Sequence, residues 1–266
     1  MQINPAQGAA LSVSPNNLSR IFFILLLFTS VFLSKAQYPY EKYDSIKYLS
    51  FNDWKLYDWI EKKHVIHQTL SVPNFYSDLD TMTIQLTSFD ENWDSSYMRI
   101  FRNKEQIQKI FEPMAFTDHS IWGPLIVADF NGDTLSDIKI NVAYMGCGLA
   151  SMNCRIIYLF QRSDGSFRKI SYMDKLESGN RVERDFNNDG NFEIITMTLK
   201  GYEGHSYWTF DLFNYQEENF QNVDDEFGYP IMIQFLFRQN YDITDKISRE
   251  KMKDFKLIVP KDIDIK

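Results

Sequence analysis

Apolar and polar residues alternate along much of the chain, and this is the pattern of half-buried β-strands. Residues 81–89 show it clearly, because Met82, Ile84 and Leu86 would face one side of a strand and threonines the other. Comparable segments, rich in β-branched and aromatic residues and bounded by turn residues, are residues 97–101, 125–128, 138–144, 155–160, 167–172, 192–199, 207–213 and 230–237. The pattern predicts a mainly β protein.

A few short helices are expected between the strands. Residues 104–112 fit a helix, because Asn103 stands at a capping position and Ile107 and Ile110 would share one face before Pro113 ends the segment. Two other short helices are predicted, over residues 51–63 with Ser50 as the cap, and over residues 245–254 with Thr244 as the cap.

Two segments of the chain repeat one another. The tripeptide Asp-Phe-Asn opens both, at Asp129 and again at Asp185. Each opening is followed by a strand, a turn and a returning strand, with phenylalanines seven residues apart at positions 160 and 167 and at positions 213 and 220. The unit is therefore a loop with a small antiparallel sheet that stacks on its copy. We expect propeller-like antiparallel blades or repeated small sheets.

The N-terminus reads as a targeting segment. Arg20 precedes an apolar run over residues 21–33, and the small residues Ser34 and Ala36 fit a signal-peptidase site. The run is short for a membrane-spanning helix, which needs roughly 20 apolar residues, so a cleaved signal is favoured over an uncleaved anchor. The predicted organisation is a signal peptide (1–36), an N-terminal strand and helix region (37–118), two loop-and-sheet repeats (119–240) and a C-terminal tail (241–266).

The formal charge of -8 disfavours binding to nucleic acid or to anionic lipid and favours cations or basic partners. After removal of the signal, nothing in the chain is apolar for long enough to span a membrane. We expect a secreted or periplasmic protein, with a bacterial envelope as its setting, whose partner is a protein or glycan outside the cytoplasm.

The two repeated loops are rich in oxygen ligands at alternate positions. Calcium takes six to eight oxygens, and alternate residues of a tight turn direct that many inward. The predicted ligands at loop positions 1, 3, 5, 7 and 9 are Asp129, Asn131, Asp133, Leu135 and Asp137 in the first loop and Asp185, Asn187, Asp189, Asn191 and Glu193 in the second, with Leu135 and Asn191 offering carbonyls. A structural Ca²⁺ is the cofactor that this spacing predicts.

The loops differ from one another and from an EF-hand. Position 6 is Gly190 in the second loop but Thr134 in the first, and a β-branched residue resists a left-handed backbone, so the first site is expected to be distorted or weaker. Position 12 holds Ile140 or Thr196 where an EF-hand has a bidentate glutamate. The alternative interpretation is that Asp, Asn and Gly are ordinary turn residues.

Cys147 and Cys154 are the only cysteines. In an oxidising compartment this pair is expected to form a disulfide. A pair of metal ligands and a pair of free thiols are the alternatives, although no histidine lies nearby to complete a zinc site.

A family resemblance rests on residues 127–133 with 137–138 (VADFNGD and DI) and on residues 184–190 (RDFNNDG). These segments resemble the FG-GAP and VCBS-type repeats of extracellular proteins. The resemblance implies calcium in the loops and units that form propeller blades. The loop, the following strand and the aromatic hairpin are also similar to small exported calcium-loop proteins related to bacterial lysozyme inhibitors.

Three functions were weighed on this basis. The leading hypothesis is a non-enzymatic, calcium-stabilised binding or adhesion module. The alternative is a periplasmic inhibitor of a lysozyme-like hydrolase that inserts the segment 146–153 into its target. A hydrolase using residues 224–226 as its acid is disfavoured, because the four histidines are scattered and no catalytic constellation accompanies these acids.

Overall fold

The computed structural model describes residues 38–60, 65–89, 92–113, 124–143, 148–175, 181–234 and 247–260, all within one unit, Tyr38–Lys266. The expected signal peptide lies outside the described residues. The prediction of a mainly β protein is confirmed, because antiparallel sheets contain most of the described chain.

After a short 3₁₀ helix (Pro39–Lys42), two very short strands each join a strand that comes much later in the chain. Strand β1 (Asp44–Ser45) pairs with β12 (Arg184–Asp185), and β2 (Leu49–Phe51) pairs with β8 (Leu125–Ala128). The backbone N–H of Ile46 also donates to the carbonyl of Glu183 at 3.0 Å. The entry segment therefore connects the parts of the chain that hold the two repeats.

Three larger sheets follow one another along the sequence. Sheet 1 is a five-stranded meander of β3 (Lys55–Ile60), β4 (Val65–Val72), β5 (Met82–Phe89), β6 (Tyr97–Arg102) and β7 (Glu105–Phe111). Sheet 2 has the order β11-β10-β9-β8-β2, with β9 (Asp137–Ala143), β10 (Asn153–Gln161) and β11 (Phe167–Lys175). Sheet 3 contains β13 (Ile194–Tyr202), β14 (His205–Gln216), β15 (Asn219–Asn222) and β16 (Ile231–Gln234), with β15 and β16 both paired to β14.

The sheets share cores through the two faces of β10. Ile157 and Leu159 belong to a cluster that includes Met82 and Ile84 of sheet 1. The alternate residues Ile156, Tyr158 and Phe160 belong to a second cluster with Phe213 and Phe220 of sheet 3. Period-two alternation on a central strand therefore buries both of its faces. The prediction that each repeat forms a small antiparallel sheet is confirmed.

The helix predicted over residues 104–112 is wrong. These residues form β7, which pairs with β6 through a register shift, so that Ile100 lies opposite Gln108 and Phe101 opposite Gln106. The bulge leaves Ile107 as an extra residue, which is why an apolar spacing of three occurs in a strand. Asn103 makes the tight turn between the strands with a φ of 53° instead of capping a helix.

The helix predicted over residues 51–63 is also wrong in its described part, because Lys55–Ile60 form β3, which pairs with β4, and the ladder satisfies its backbone groups. Residues 61–63 lie outside the described residues. The helix near the C-terminus is confirmed in part. It is the short α2 (Arg249–Met252), followed by a 3₁₀ turn (Lys253–Phe255), with Ser248 as its cap, and Thr244 lies outside the described residues. A further short helix, α1 (Asp224–Phe227), follows β15.

Candidate functional site

The two aspartate-rich loops connect equivalent strands of the two repeats. The first loop, residues 129–137, runs from β8 into β9, and the second, residues 185–193, runs from β12 towards β13. At the base of the second loop, the backbones of Arg184 and Glu193 exchange hydrogen bonds of 2.8 and 3.2 Å. Each loop is therefore a turn between paired strand segments, as the repeat predicted.

In the first loop, the position-1 carboxylate organises the turn. Asp129 Oδ1 accepts hydrogen bonds from the backbone N–H groups of Gly132 (2.8 Å) and Asp133 (3.1 Å), and its Oδ2 accepts from Thr134 N–H (2.8 Å). Asp133 Oδ1 accepts from Leu135 N–H at 2.8 Å. The carboxylates thus stand inside the turn because its backbone donors face them.

The second loop repeats the hydrogen bonds that the N–H groups at positions 5, 6 and 7 make in the first loop. Asp185 accepts from the N–H groups of Asp189 (3.1 Å) and Gly190 (3.0 Å), and Asp189 Oδ1 accepts from Asn191 N–H at 2.8 Å. The amide of Asn187 donates to Asp189 Oδ2 at 2.8 Å. The sequence repeat is therefore a repeat of conformation as well.

The expected distortion of the first loop is not observed. Thr134 has a φ of 71° and Gly190, its counterpart at position 6, has 84°. At position 4 the φ is 75° for Gly132 and 60° for Asn188. Both loops therefore use left-handed residues at positions 4 and 6. Thr134 adopts this conformation while its N–H donates to Asp129, which offsets the strain of the β-branched side chain.

The acids at position 9 are buried beneath the loops. Burial raises the pKa of Asp137 to about 8 and that of Glu193 to about 7, and nearby aspartates of each loop add to both shifts. One carboxylate oxygen of Asp137 accepts a hydrogen bond from Phe130 N–H (3.0 Å), and the other accepts one from Gln161 N–H (2.8 Å). Both of its oxygens are therefore engaged by the backbone.

Glu193 differs from Asp137 in this respect. Its Oε2 accepts from Phe186 N–H at 2.8 Å, but its Oε1 is buried and has no hydrogen-bond partner within the described residues. The same holds for Oδ1 of Asn191 at position 7. An unpartnered buried carboxylate oxygen is unfavourable by itself, so these atoms suit a cation. The difference between the loops lies at position 9 and not at position 6.

The loops lie against each other. The N–H of Phe192 donates to the carbonyl of Phe130 at 2.9 Å, which joins the second loop to the first. A Cβ on Gly132 would stand 2.8 Å from the carbonyl oxygen of Gly190, so only glycine permits this approach. Sequence spacing gave no indication of this contact, because the two loops are 56 residues apart.

The donor set fits a hard cation, since every predicted ligand offers oxygen and no sulfur or imidazole. Within the described residues, no group of three His, Cys, Asp or Glu side chains is already placed to hold a metal ion. The loop carboxylates accept hydrogen bonds from backbone N–H groups, but each carboxylate still has lone pairs that could bind a cation. Ion binding therefore requires small rearrangements of side chains that are already in the turn.

The disulfide stays a prediction. Cys154 is a buried free thiol in the structure, and burial raises its pKa to about 12. Its predicted partner Cys147 lies outside the described residues. Of the segment 146–153 that was expected to enter a hydrolase, Gly148–Met152 form a 3₁₀ helix and the residues before it are outside the described part.

The structure reveals buried charge networks that the sequence pattern did not predict. Glu183 accepts from Lys139 and Tyr158 between sheets 2 and 3. On the other face of sheet 2, Glu112 is buried and forms ion pairs with Arg155 and, at 3.0 Å, with Lys169. A charged residue at a strand position that faces the core is the sequence feature that would have predicted these networks.

Two acids of the segment 224–226 make contacts that hold the fold together. Asp224 is buried and accepts from Leu212 N–H (2.6 Å) and from the Asn222 amide (2.7 Å), which is a structural role. Asp225 is exposed and pairs with Lys256 at 2.8 Å. Asp224 also shares a hydrogen bond with the buried carboxyl of Asp211.

No family model, no curated protein and no solved structure matches the chain. In the part of the chain that the structure describes, no helix has the length and apolar character needed to cross a membrane.

Proposed function

We propose that this chain is an exported, non-enzymatic binding module of the FG-GAP/VCBS type whose sheets are stabilised by calcium. The observation that supports this most strongly is the buried, unpartnered Oε1 of Glu193 in a turn that also holds Asp185 and Asp189. A carboxylate in that position is stabilised by a divalent ion and is unfavourable without one.

The second loop is the principal site in this proposal. Asp185, Asn187, Asp189 and Glu193 supply side-chain oxygens, and Asn191 adds a further oxygen. Two carboxylates roughly 4.5 Å apart at an effective dielectric constant near 20 repel by about 3 to 4 kcal/mol, and a bound cation converts this repulsion into attraction. The first loop offers the same side-chain donors at positions 1, 3 and 5, but position 7 is Leu135 and both oxygens of Asp137 are engaged, so we expect it to bind calcium more weakly.

The role of the ion is structural because of where the loops lie. Phe130 of the first loop belongs to the core shared by sheets 2 and 3, and Phe186 of the second belongs to the core on the other face of sheet 3. Fixing both loops therefore fixes the junction of the two sheets. Loops carried on such a rigid scaffold are the usual place for partner recognition.

Calcium-dependent stability tests the proposal. The thermal midpoint of the chelator-stripped protein should rise with calcium, because an ion that binds only the folded state stabilises it by about 2.7 kcal/mol at a concentration of 100 Kd. Asp185→Ala and Glu193→Gln should remove most of this rise, while Asp129→Ala should remove less. Asp225→Ala is the matched control, since this exposed acid lies outside both loops and should leave the response unchanged.

Titration calorimetry provides the decisive outcome. Calcium uptake that disappears in Asp185→Ala supports the site. If the folded, chelator-stripped protein takes up no calcium, the loops are ordinary turns and the proposal has to be abandoned.

A further inference from the structure

A cleft of about 640 Å³ opens between sheet 1 and sheet 2. Its walls come from the edge strand β7, from the start of the edge strand β11 and from the turn before β11. Its lining includes Lys109, Phe111, Arg162, Arg168 and Lys169, and also Asp94 from the segment before β6. Its volume is that of a small-molecule site, since ligand pockets measure roughly 300 to 1,000 Å³.

The two edges are held in register by one side chain. The Gln108 amide donates from Nε2 to the carbonyl of Phe167 at 2.9 Å and accepts from Phe167 N–H at 2.7 Å. The Nζ of Lys169 also reaches the carbonyl of Phe111 at 3.4 Å. Because these bonds connect the edge strands from inside, the cleft is a preformed feature that a ligand does not have to create.

The cleft is basic on a protein that is acidic as a whole. Arg162 and Lys169 are neutralised by Glu218 and Glu112. Lys109 contacts aromatic rings and forms no ion pair within the described residues. Arg168 donates to the carbonyl of Glu218 (3.0 Å) and to the side-chain oxygen of Asn219 (3.3 Å), and its charge also acts on the Glu218 carboxylate, which pairs with Arg162. One acid, Asp94, is among the lining residues. Lys109 is therefore the cation most available to an anion, and Arg168 shares one carboxylate with Arg162.

An apolar surface stands beside the cations. The Lys109 ammonium lies 4.0 Å from the ring centre of Tyr97 and 4.7 Å from that of Phe111, so both rings help to position it. Phe111 is 51% exposed, an unusual exposure for so large an apolar ring. The wall thus combines positive charge with a flat ring, and an acidic sugar offers the matching pair of features, an anionic group and an apolar ring face.

We propose that this cleft binds an acidic saccharide, with Lys109 and Arg168 contacting its carboxylate or sulfate groups and Phe111 packing on a sugar ring. The overall negative charge disfavours long polyanions such as nucleic acid, and the small volume favours a short oligosaccharide over a protein partner. The site is separate from the aspartate loops and does not require calcium to be a ligand of the sugar.

Calorimetric titration of the full-length mature chain at saturating calcium tests the site. The probes are trigalacturonate, a sulfated disaccharide and neutral maltotriose. We expect one of the two anionic probes to bind and maltotriose not to, and the comparison of uronate with sulfate identifies the anionic group. Lys109→Gln and Arg168→Gln should each weaken binding about tenfold, the loss expected for one hydrogen bond to a charged group. Phe111→Ala should also weaken it.

The matched control is Lys256→Gln, which removes a lysine that pairs with Asp225 away from the cleft and should leave affinity unchanged. Circular dichroism of each variant confirms that it is folded. The inference is overturned if neither anionic saccharide binds, if maltotriose binds equally well, or if the two cleft variants retain full affinity. Binding of an acidic peptide in place of the saccharides also overturns it. Repeating the titration in EGTA separates this result from the loops, because the cleft should still bind when the calcium sites are empty.

Discussion

The contact between the two loops makes a quantitative prediction for Gly132→Ala. The added Cβ would lie 2.8 Å from the carbonyl oxygen and 2.9 Å from the carbonyl carbon of Gly190, and both belong to the backbone, which cannot rotate away. The residue also has a φ of +75°, where an L-residue is strained. Two separate effects, backbone strain and steric overlap, therefore add at this position.

Gly204→Ala isolates the first effect. Gly204 has a φ of +76° in the turn between β13 and β14, and an added Cβ there would meet nothing within 4 Å. The left-handed conformation should destabilise this variant by about 1 to 2 kcal/mol. Gly190→Ala is a second control inside the loops, since its φ is +84° and its Cβ would also meet nothing within 4 Å.

Gly132→Ala should lose more stability than either control variant, because the added Cβ forces the two loops apart. Overpacking typically destabilises by about 1 to 3 kcal/mol, and loss of the hydrogen bond from Phe192 to Phe130 adds roughly 1 kcal/mol. We therefore expect a total of about 3 to 5 kcal/mol, against about 1 to 2 kcal/mol for either control. Urea unfolding in chelator measures these differences as shifts in the midpoint at constant slope. Equal destabilisation of Gly132→Ala and Gly204→Ala would refute the proposed contact between the loops.

Two other predictions concern buried charge. Glu112→Gln should lower the free energy of unfolding by about 3 to 5 kcal/mol, because it removes the carboxylate that faces buried Arg155 and Lys169, whereas Glu218→Gln, in an exposed pair, should change urea stability little. Burial raises the pKa of Asp211 to about 8, and the neighbouring Asp224 carboxyl, which shares a hydrogen bond with it, adds to the shift. The folded pair therefore retains a proton that the unfolded state loses, and its contribution to stability should fall as the pH rises from about 4 to about 8. Asp211→Asn should flatten this part of the profile of unfolding midpoint against pH, and a wild-type slope in the variant would contradict the assignment.

The misassigned segments show where local sequence information ends. Residues 104–112 have good helix-capping and apolar spacing, yet they form a strand, because a bulge opposite β6 places Ile107 out of the regular alternation. That bulge depends on the partner strand and leaves no sign in the segment itself. Tertiary pairing outweighs propensities of a few tenths of a kcal/mol per residue.

The candidate site also combines features that the sequence predicted with features that only the tertiary structure shows. The spacing of Asp, Asn and Gly predicted two equivalent turns. This prediction was possible because the conformation of each turn depends on hydrogen bonds within nine residues. The approach of Gly132 to Gly190 depends on how sheets 2 and 3 pack, and so does the difference in hydrogen bonding between the buried acids Glu193 and Asp137. The basic cleft likewise forms only when β7 and β11 are brought edge to edge.

The sequence by itself determined the mainly β character, many of the strand positions and the two matching aspartate loops. These features rest on period-two alternation and on short-range hydrogen bonds, which act within a few residues of the chain. The tertiary structure alone decided which loop carries an unpartnered buried oxygen, that the loops touch, and that basic side chains from β7, from β11 and from the turn before β11 line one cleft. Those properties come from contacts between residues far apart in the chain, and the packing of the sheets sets them.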